Sequence, residues 1–148
     1  MAIIKILNPA NKPELREKNE IIDFLYTQLE EFGDPKEQIQ KAVEYSLKEI
    51  PSFGGFILQM KEKEQLVGVV VINSTGMGGY IPENILVYIA THKEYRGKGL
   101  GKQLMNKASQ IADGDIALHV EQDNPAKFLY EKVGYVNKYL EMRLINKK

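Results

Sequence analysis

The residues whose types and spacing carry the most chemistry are Arg96-Gly97-Lys98-Gly99-Leu100-Gly101, followed at once by Lys102 and a helical pattern. Glycines let successive backbone N–H groups converge with no Cβ in the way. A helix that begins there adds unpaired amides and the positive end of its dipole, so the segment suits a phosphate-like anion. Arg96, Lys98 and Lys102 add formal positive charge. The same glycines would equally serve a tight strand-to-helix turn that binds nothing. Two familiar phosphate loops fail on spacing. A Walker A loop requires Gly where Arg96 stands and Ser or Thr where Gln103 stands. A Rossmann fingerprint begun at Gly97 requires its third glycine at the position of Lys102.

Other reactive groups are sparse. The 148 residues include no cysteine, which removes disulfides, thiolate metal sites and cysteine nucleophiles together. No spacing of His, Asp and Glu suggests a metal site. Tyr88 and His119 fall on expected strands and could line a cleft, although buried, hydrogen-bonded packing is the expected fate of each. His92, just ahead of the glycine loop, is expected to face solvent.

The elements that must position this loop are legible from periodicity. Residues 85–90 form an unbroken apolar run, the mark of a strand buried on both faces, and lead through Thr91 to Tyr95 into the glycines. Leu100, Leu104, Ala108 and Ile111 then repeat at helical spacing. Residues 2–7 predict a first strand. Ile21, Ile22, Leu25, Leu29 and Phe32 make a helical stripe that Gly33 stops, and Asp34-Pro35 reads as N-cap and first residue of a second helix through Ile39, Val43 and Leu47. Residues 56–60 and 66–72 predict a hairpin joined by Lys61-Glu62-Lys63-Glu64. Residues 116–120 predict another buried strand, Ala126, Leu129, Tyr130 and Val133 a short helix, and residues 139–145 a closing strand. The order predicts a mixed α/β domain, helices packed on a central sheet, with no repeat and no internal linker.

Composition bounds the function classes. Hydrophobic residues make up 43% and charged residues 27%, a globular balance, and the length suits one domain with one core. No apolar run is long enough to span a bilayer and no secretory leader pattern opens the chain, so a cytoplasmic protein that engages no membrane is expected. Formal net charge is zero, which argues against a nucleic-acid partner. The zero hides an asymmetry: residues 14–49 carry ten acids against five bases, and residues 93–148 carry eleven bases against seven acids. That distribution would suit a cationic acceptor at one end and an anionic ligand at the other. Solvated helix faces would account for it as well.

Arg96, Gly99 and Gly101 fit the spacing Arg/Gln-x-x-Gly-x-Gly, preceded by His92-Lys93-Glu94-Tyr95. A second motif follows on the next strand and helix: Leu118-His119-Val120 through Asn124, then Tyr130-Glu131-Lys132-Val133-Gly134-Tyr135. Together these resemble the GNAT superfamily of acetyltransferases, firmly over residues 66–145 and only in architecture before that. The resemblance implies a GNAT-like acyl-CoA N-acyltransferase fold: a central, mixed, mostly antiparallel β-sheet flanked by helices, residues 1–148 forming one acetyltransferase domain.

The resemblance also implies roles. Acetyl-CoA would be the acyl donor, with no metal. Its pyrophosphate would be held by backbone amides of Arg96, Gly97, Lys98, Gly99, Leu100, Gly101 and Lys102, and its pantetheine arm by the backbone at Ile89, Ala90 and Thr91. Asn124 resembles the family asparagine near the pantetheine, although Asn124-Pro125 is also a natural helix cap. Its distance of six positions to Tyr130 is one shorter than is common in the family. Tyr130 resembles the tyrosine that protonates the leaving thiolate; a core tyrosine is the alternative. Glu83, thirteen positions before Arg96, resembles the strand glutamate used as base in the histone-acetylating branch, or is an exposed carboxylate at a strand start. The activity implied is direct acetyl transfer to a primary amine of a small molecule or peptide in a ternary complex, with strand N–H groups stabilising the oxyanion. A catalytically silent acyl-CoA-binding or sensing module is the alternative; a nucleotide-phosphate binder of another class would rest on the glycines alone. Acceptor identity is not legible, although the acidic N-terminal third suits a cationic amine, and a homodimer is left open.

Overall fold

The apolar runs pair into one sheet. In the computed structural model, which describes residues 2–147, β1 (Ile3–Leu7), β2 (Gly55–Glu62), β3 (Gln65–Ser74) and β4 (Asn84–Thr91) lie in that order, each antiparallel to the next. β5 (Ile116–Ala117) joins β4 in parallel, making the mixed, mostly antiparallel sheet that the sequence predicts. The β2–β3 hairpin is tighter than expected: the strands run to Glu62 and resume at Gln65, leaving only Lys63 and Glu64 in the turn. Both have positive φ, 51° and 66°, the geometry whose twist matches that of the flanking strands.

Alternation along the strands sends side chains to two faces. On one face Leu7, Ile57, Val69, Val71, Tyr88 and Ala90 pack with α1 (Leu15–Leu29) and α2 (Lys36–Ser46) through Ile21, Ile22, Leu25, Ile39 and Val43. Gly68, pointing the other way from Val69, lies under α3 (Leu100–Ile111): a Cβ there would sit 2.6 Å from Leu104 Cδ1. The helix that carries the glycine loop is thus seated closely on β3.

The chain divides into two compact units, the second beginning at His119. Its described residues contain one helix, α4 (Ala126–Lys132), ended by Gly134 at φ 108° with its N–H bonded to the Glu131 carbonyl. Three expectations need correction. The strand of residues 116–120 is confined to Ile116–Ala117, and residues 139–145 form no strand. A strand exists through its ladder bonds, and the second unit's described residues offer no strand for 139–145 to pair with. Asp34 is not the N-cap of α2: Pro35 is, and the Asp34 carboxylate instead accepts a hydrogen bond from Tyr88. Among the described residues no helix is long and apolar enough to cross a membrane.

Candidate active site

β4 delivers the glycine loop. It is paired to β5 only at Asn84 and Ile85, so within residues 1–118 its later residues have a partner only on the β3 side. Val71 opposes Tyr88 and Ile72 opposes Leu86, leaving Val87 as the extra residue of a bulge. Beyond the bulge Ile89, Ala90 and Thr91 run straight to the loop along this open edge. An edge of that kind presents unpaired backbone N–H and C=O groups.

A short 3-10 turn, Lys93–Tyr95, makes the lead-in, capped by His92, whose Nδ1 accepts from the Glu94 N–H at 3.1 Å. His92 is half-buried and structural rather than solvent-facing. Gly97 and Gly99 then take φ of 81° and 80°, values that favour glycine. Nothing lies within 4 Å of the Cβ position at either glycine, so the space above them is open. Gly99 is the N-cap of α3, and the first α3 bond runs from the Gln103 N–H to the Gly99 carbonyl at 3.1 Å. The amides of Leu100, Gly101 and Lys102 precede that bond and stand at the positive end of the helix dipole. An anion fits here.

The cations around the loop divide their work. The Arg96 guanidinium donates to the Gln28 carbonyl at 2.8 Å, so this side chain braces the loop against α1. Lys98 Nζ lies 4.9 Å from the centroid of the Tyr95 ring, and Tyr95 in turn donates to Gln65 at 3.1 Å. Lys102 is exposed on the first turn of α3. Gln28 Oε1 also accepts from the Lys93 N–H at 2.9 Å. The sequence motifs do not point to Gln28; its signal is a polar residue on the apolar stripe of Ile21 and Leu25.

Glu83 lies just ahead of β4, at the end of the strand opposite the glycine loop. Its Oε1 accepts from the Asp115 N–H at 2.8 Å and its Oε2 from the Gly79 N–H at 3.3 Å. These amides, led by that of Asp115, hold its carboxyl below the ordinary range. Gly114 makes room for it: a Cβ there would lie 2.3 Å from Glu83 Oε1. The carboxylate therefore latches two turns together, and it lines a groove of about 430 Å³ shared with Lys48, Phe53, Asn84 and Asp113. Tyr88 is buried as expected, and its hydroxyl donates to Asp34 Oδ2 at 2.5 Å. Burial, then that carboxylate, push its pKa up.

In the second unit Tyr130 is buried on α4, 6.1 Å between ring centroids from Tyr135. Burial, with Tyr135 beside it, pushes its pKa up to about 12, so the phenol keeps its proton at neutral pH. Asn124 Oδ1 accepts from the Ala126 N–H at 2.9 Å, the local capping geometry that its neighbour Pro125 favours. His119 is exposed, against the expectation of packing, because the strand meant to bury it stops at Ala117.

A model of the acetyltransferase (GNAT) family matches residues 19–135, a stretch that includes the glycine loop and Tyr130. The chain belongs to this family. Among curated proteins it is 32% identical over 82 residues to a [ribosomal protein bS18]-alanine N-acetyltransferase of Haemophilus influenzae, a match that spans 53% of each chain, about half the length of that relative. Among solved structures, a possible acetyltransferase from Clostridium difficile 630 superposes with a TM-score of 0.71 at 20% identity, over 99% of this chain and 97% of the other. An aminoglycoside N-acetyltransferase in complex with CoA gives 0.71 at 12% identity, over 100% of this chain and 96% of that one. Both structures share the GNAT fold with this chain. The family uses acetyl-CoA as donor, and in the loop of this GNAT protein nothing lies within 4 Å of the Cβ positions of Gly97 and Gly99.

Proposed function

We propose that this chain is an N-acetyltransferase that moves an acetyl group from acetyl-CoA directly to a primary amine, the two units acting as one acetyltransferase domain. The observation that carries the reading is the glycine loop: two left-handed glycines with open space above them, set against the free amides of α3 in a family whose donor is acetyl-CoA. Acetyl-CoA supplies an acyl group already activated as a thioester, so transfer to nitrogen calls for positioning, charge stabilisation and proton management. Amides from Arg96 to Lys102 hold the pyrophosphate. Backbone groups of Ile89, Ala90 and Thr91 on the open β4 edge orient the pantetheine, and N–H groups of that edge stabilise negative charge on the acyl oxygen. The Tyr130 hydroxyl gives the departing sulfur its proton. Glu83, acting directly or through water, takes the proton that the acceptor ammonium must lose. Asn124, which caps α4, supports the pantetheine.

The acceptor is a cationic amine, a small molecule or the end of a peptide. Glu83 and Asp113 line the groove with Phe53, two acids against the one base Lys48, a balance that suits an ammonium group, and the curated relative acts on an alanine of a ribosomal protein. The test is a thiol-release screen of the purified protein with acetyl-CoA against amines, amino acids, aminoglycosides and N-terminal peptides. Turnover with one class supports the reading. Tight CoA binding with no turnover on any of them would establish the second reading, a silent acyl-CoA-binding module. One observation favours that alternative: the Glu83 carboxylate is already engaged by two amides and is a weak base.

A further inference from the structure

We propose that Gln28 is a positioning residue that transmits occupation of the glycine loop to the α1–α2 junction. The inference rests on the reading of the loop as a CoA site, and its own evidence lies in residues 28–34. Gln28 continues the core-facing stripe of α1 and is only 9% exposed. A polar side chain so placed is costly unless its hydrogen bonds are met. Its side-chain oxygen and its main-chain carbonyl each bond to the segment that holds the glycines. The side-chain Oε1 accepts from the Lys93 N–H at 2.9 Å, and the main-chain carbonyl accepts from the Arg96 guanidinium at 2.8 Å. One residue of α1 thus holds the loop at two points, each within six positions of Gly99.

The chain just beyond is built to respond. α1 ends at Leu29, and Glu30 takes φ 53° and ψ −125°, a conformation that a residue with a Cβ adopts only under constraint. A single 3-10 turn, Glu30–Phe32, follows, and then Gly33. The far end is pinned by Asp34, whose carboxylate accepts from the Tyr88 hydroxyl on β4. Residues 29–33 therefore form a strained bridge, anchored at one end to the donor loop and at the other to the donor strand. An anion gripped by the loop amides fixes Lys93 and Arg96, and with them the anchor at Gln28. The bridge then loses its freedom to open.

The experiment is amide hydrogen exchange of the full chain with and without CoA, alongside calorimetry of CoA binding. The variants are Gln28→Met, which removes the Oε1 acceptor at nearly constant volume, and Gln28→Glu, which keeps an acceptor. CoA is expected to slow exchange of residues 29–34 about fivefold or more in the wild type and in Gln28→Glu, with the effect lost in Gln28→Met although CoA still binds. A purely structural role would change exchange equally with and without CoA. If CoA binds the wild type and leaves residues 29–34 unprotected, or protects Gln28→Met as well, the coupling is overturned and the acetyltransferase reading stands. If CoA does not bind the wild type, both fall. If Gln28→Met does not fold, Gln28→Leu, which also lacks the Oε1 acceptor, supplies the same comparison.

Discussion

At the scale of single residues, the proposed proton donor, Tyr130, and the proposed proton acceptor, Glu83, pose opposite problems. Tyr130 is held protonated by burial, which keeps the proton available and also makes the phenol a weaker acid than an ordinary tyrosine. In the proposed acid role it would act by aligning a hydrogen bond that shortens as charge develops on sulfur. Tyr130→Phe is therefore expected to lower kcat by about 10²-fold with little change in CoA affinity, measured by thiol release and calorimetry. An unchanged kcat removes the acid role. Glu83 is ionised at neutral pH and its oxygens are taken by the Asp115 and Gly79 amides. Glu83→Gln separates base from latch, because the amide oxygen can still accept from one of those N–H groups while the side chain can no longer take a proton. A loss of about 10²-fold in kcat at unchanged melting temperature supports the base; full activity leaves Glu83 as a latch.

At the scale of elements, the glycine loop separates folding from binding. Nothing occupies the Cβ position of Gly99, so Gly99→Ala meets no clash, and its cost is the left-handed backbone alone, about 1–2 kcal/mol. The added methyl group lies in the open space that an anion would enter. CoA affinity is therefore expected to fall by about tenfold or more, beyond what the stability change explains, in paired calorimetry and thermal melts. Strands and helices whose own pattern decides their state were legible from sequence: α1, α2 and α3 from the 3.6-residue stripe, β2, β3 and β4 from apolar runs. Residues 139–145 were not, since Leu140, Met142 and Leu144 alternate as a strand would, yet all three are exposed. Alternation prepares a face, and only a neighbouring strand supplies the ladder. Asp34 failed as a cap for a similar reason, its carboxylate being taken by a tyrosine 54 positions away.

At the scale of the whole molecule, the acidic N-terminal third proves less available than its charge suggests. Glu17, Asp23, Glu44 and Glu49 are ion-paired to Lys5, Lys36 and Lys18. Glu20 is paired with Arg16 as well, and the Asp34 carboxylate is taken by the Tyr88 hydroxyl. Among the described residues, Gln59, 1% exposed in the centre of β2, leaves its Nε2 without a partner. An unmet buried donor costs about 1–3 kcal/mol, so Gln59→Met is expected to stabilise the fold by about 1 kcal/mol and raise the melting temperature by about 2–4 °C. Stability should also decline in alkali. Burial raises the pKa of Tyr130 to about 12 and raises those of Tyr88 and Tyr135 too, so each phenol favours folding below its unfolded value near 10. That contribution is complete below about pH 10 and is lost as pH rises toward 12, which melts across this range would register.

The sequence by itself determined the family and, apart from the closing strand expected at residues 139–145, the order of the elements, because each is written in local spacing: glycines before a helix, a tyrosine motif after a strand, stripes and runs of apolar residues. The proposal of an anion site at the glycine loop has the same origin, since the donors it invokes are backbone amides of consecutive residues. Tertiary structure alone decided that Arg96 braces α1, that Glu83 joins two turns and that Gln28 and Asp34 hold the α1–α2 junction to the donor strand. Those contacts link residues between 30 and 70 positions apart. Their partners are chosen by packing, for which spacing along the chain carries no sign.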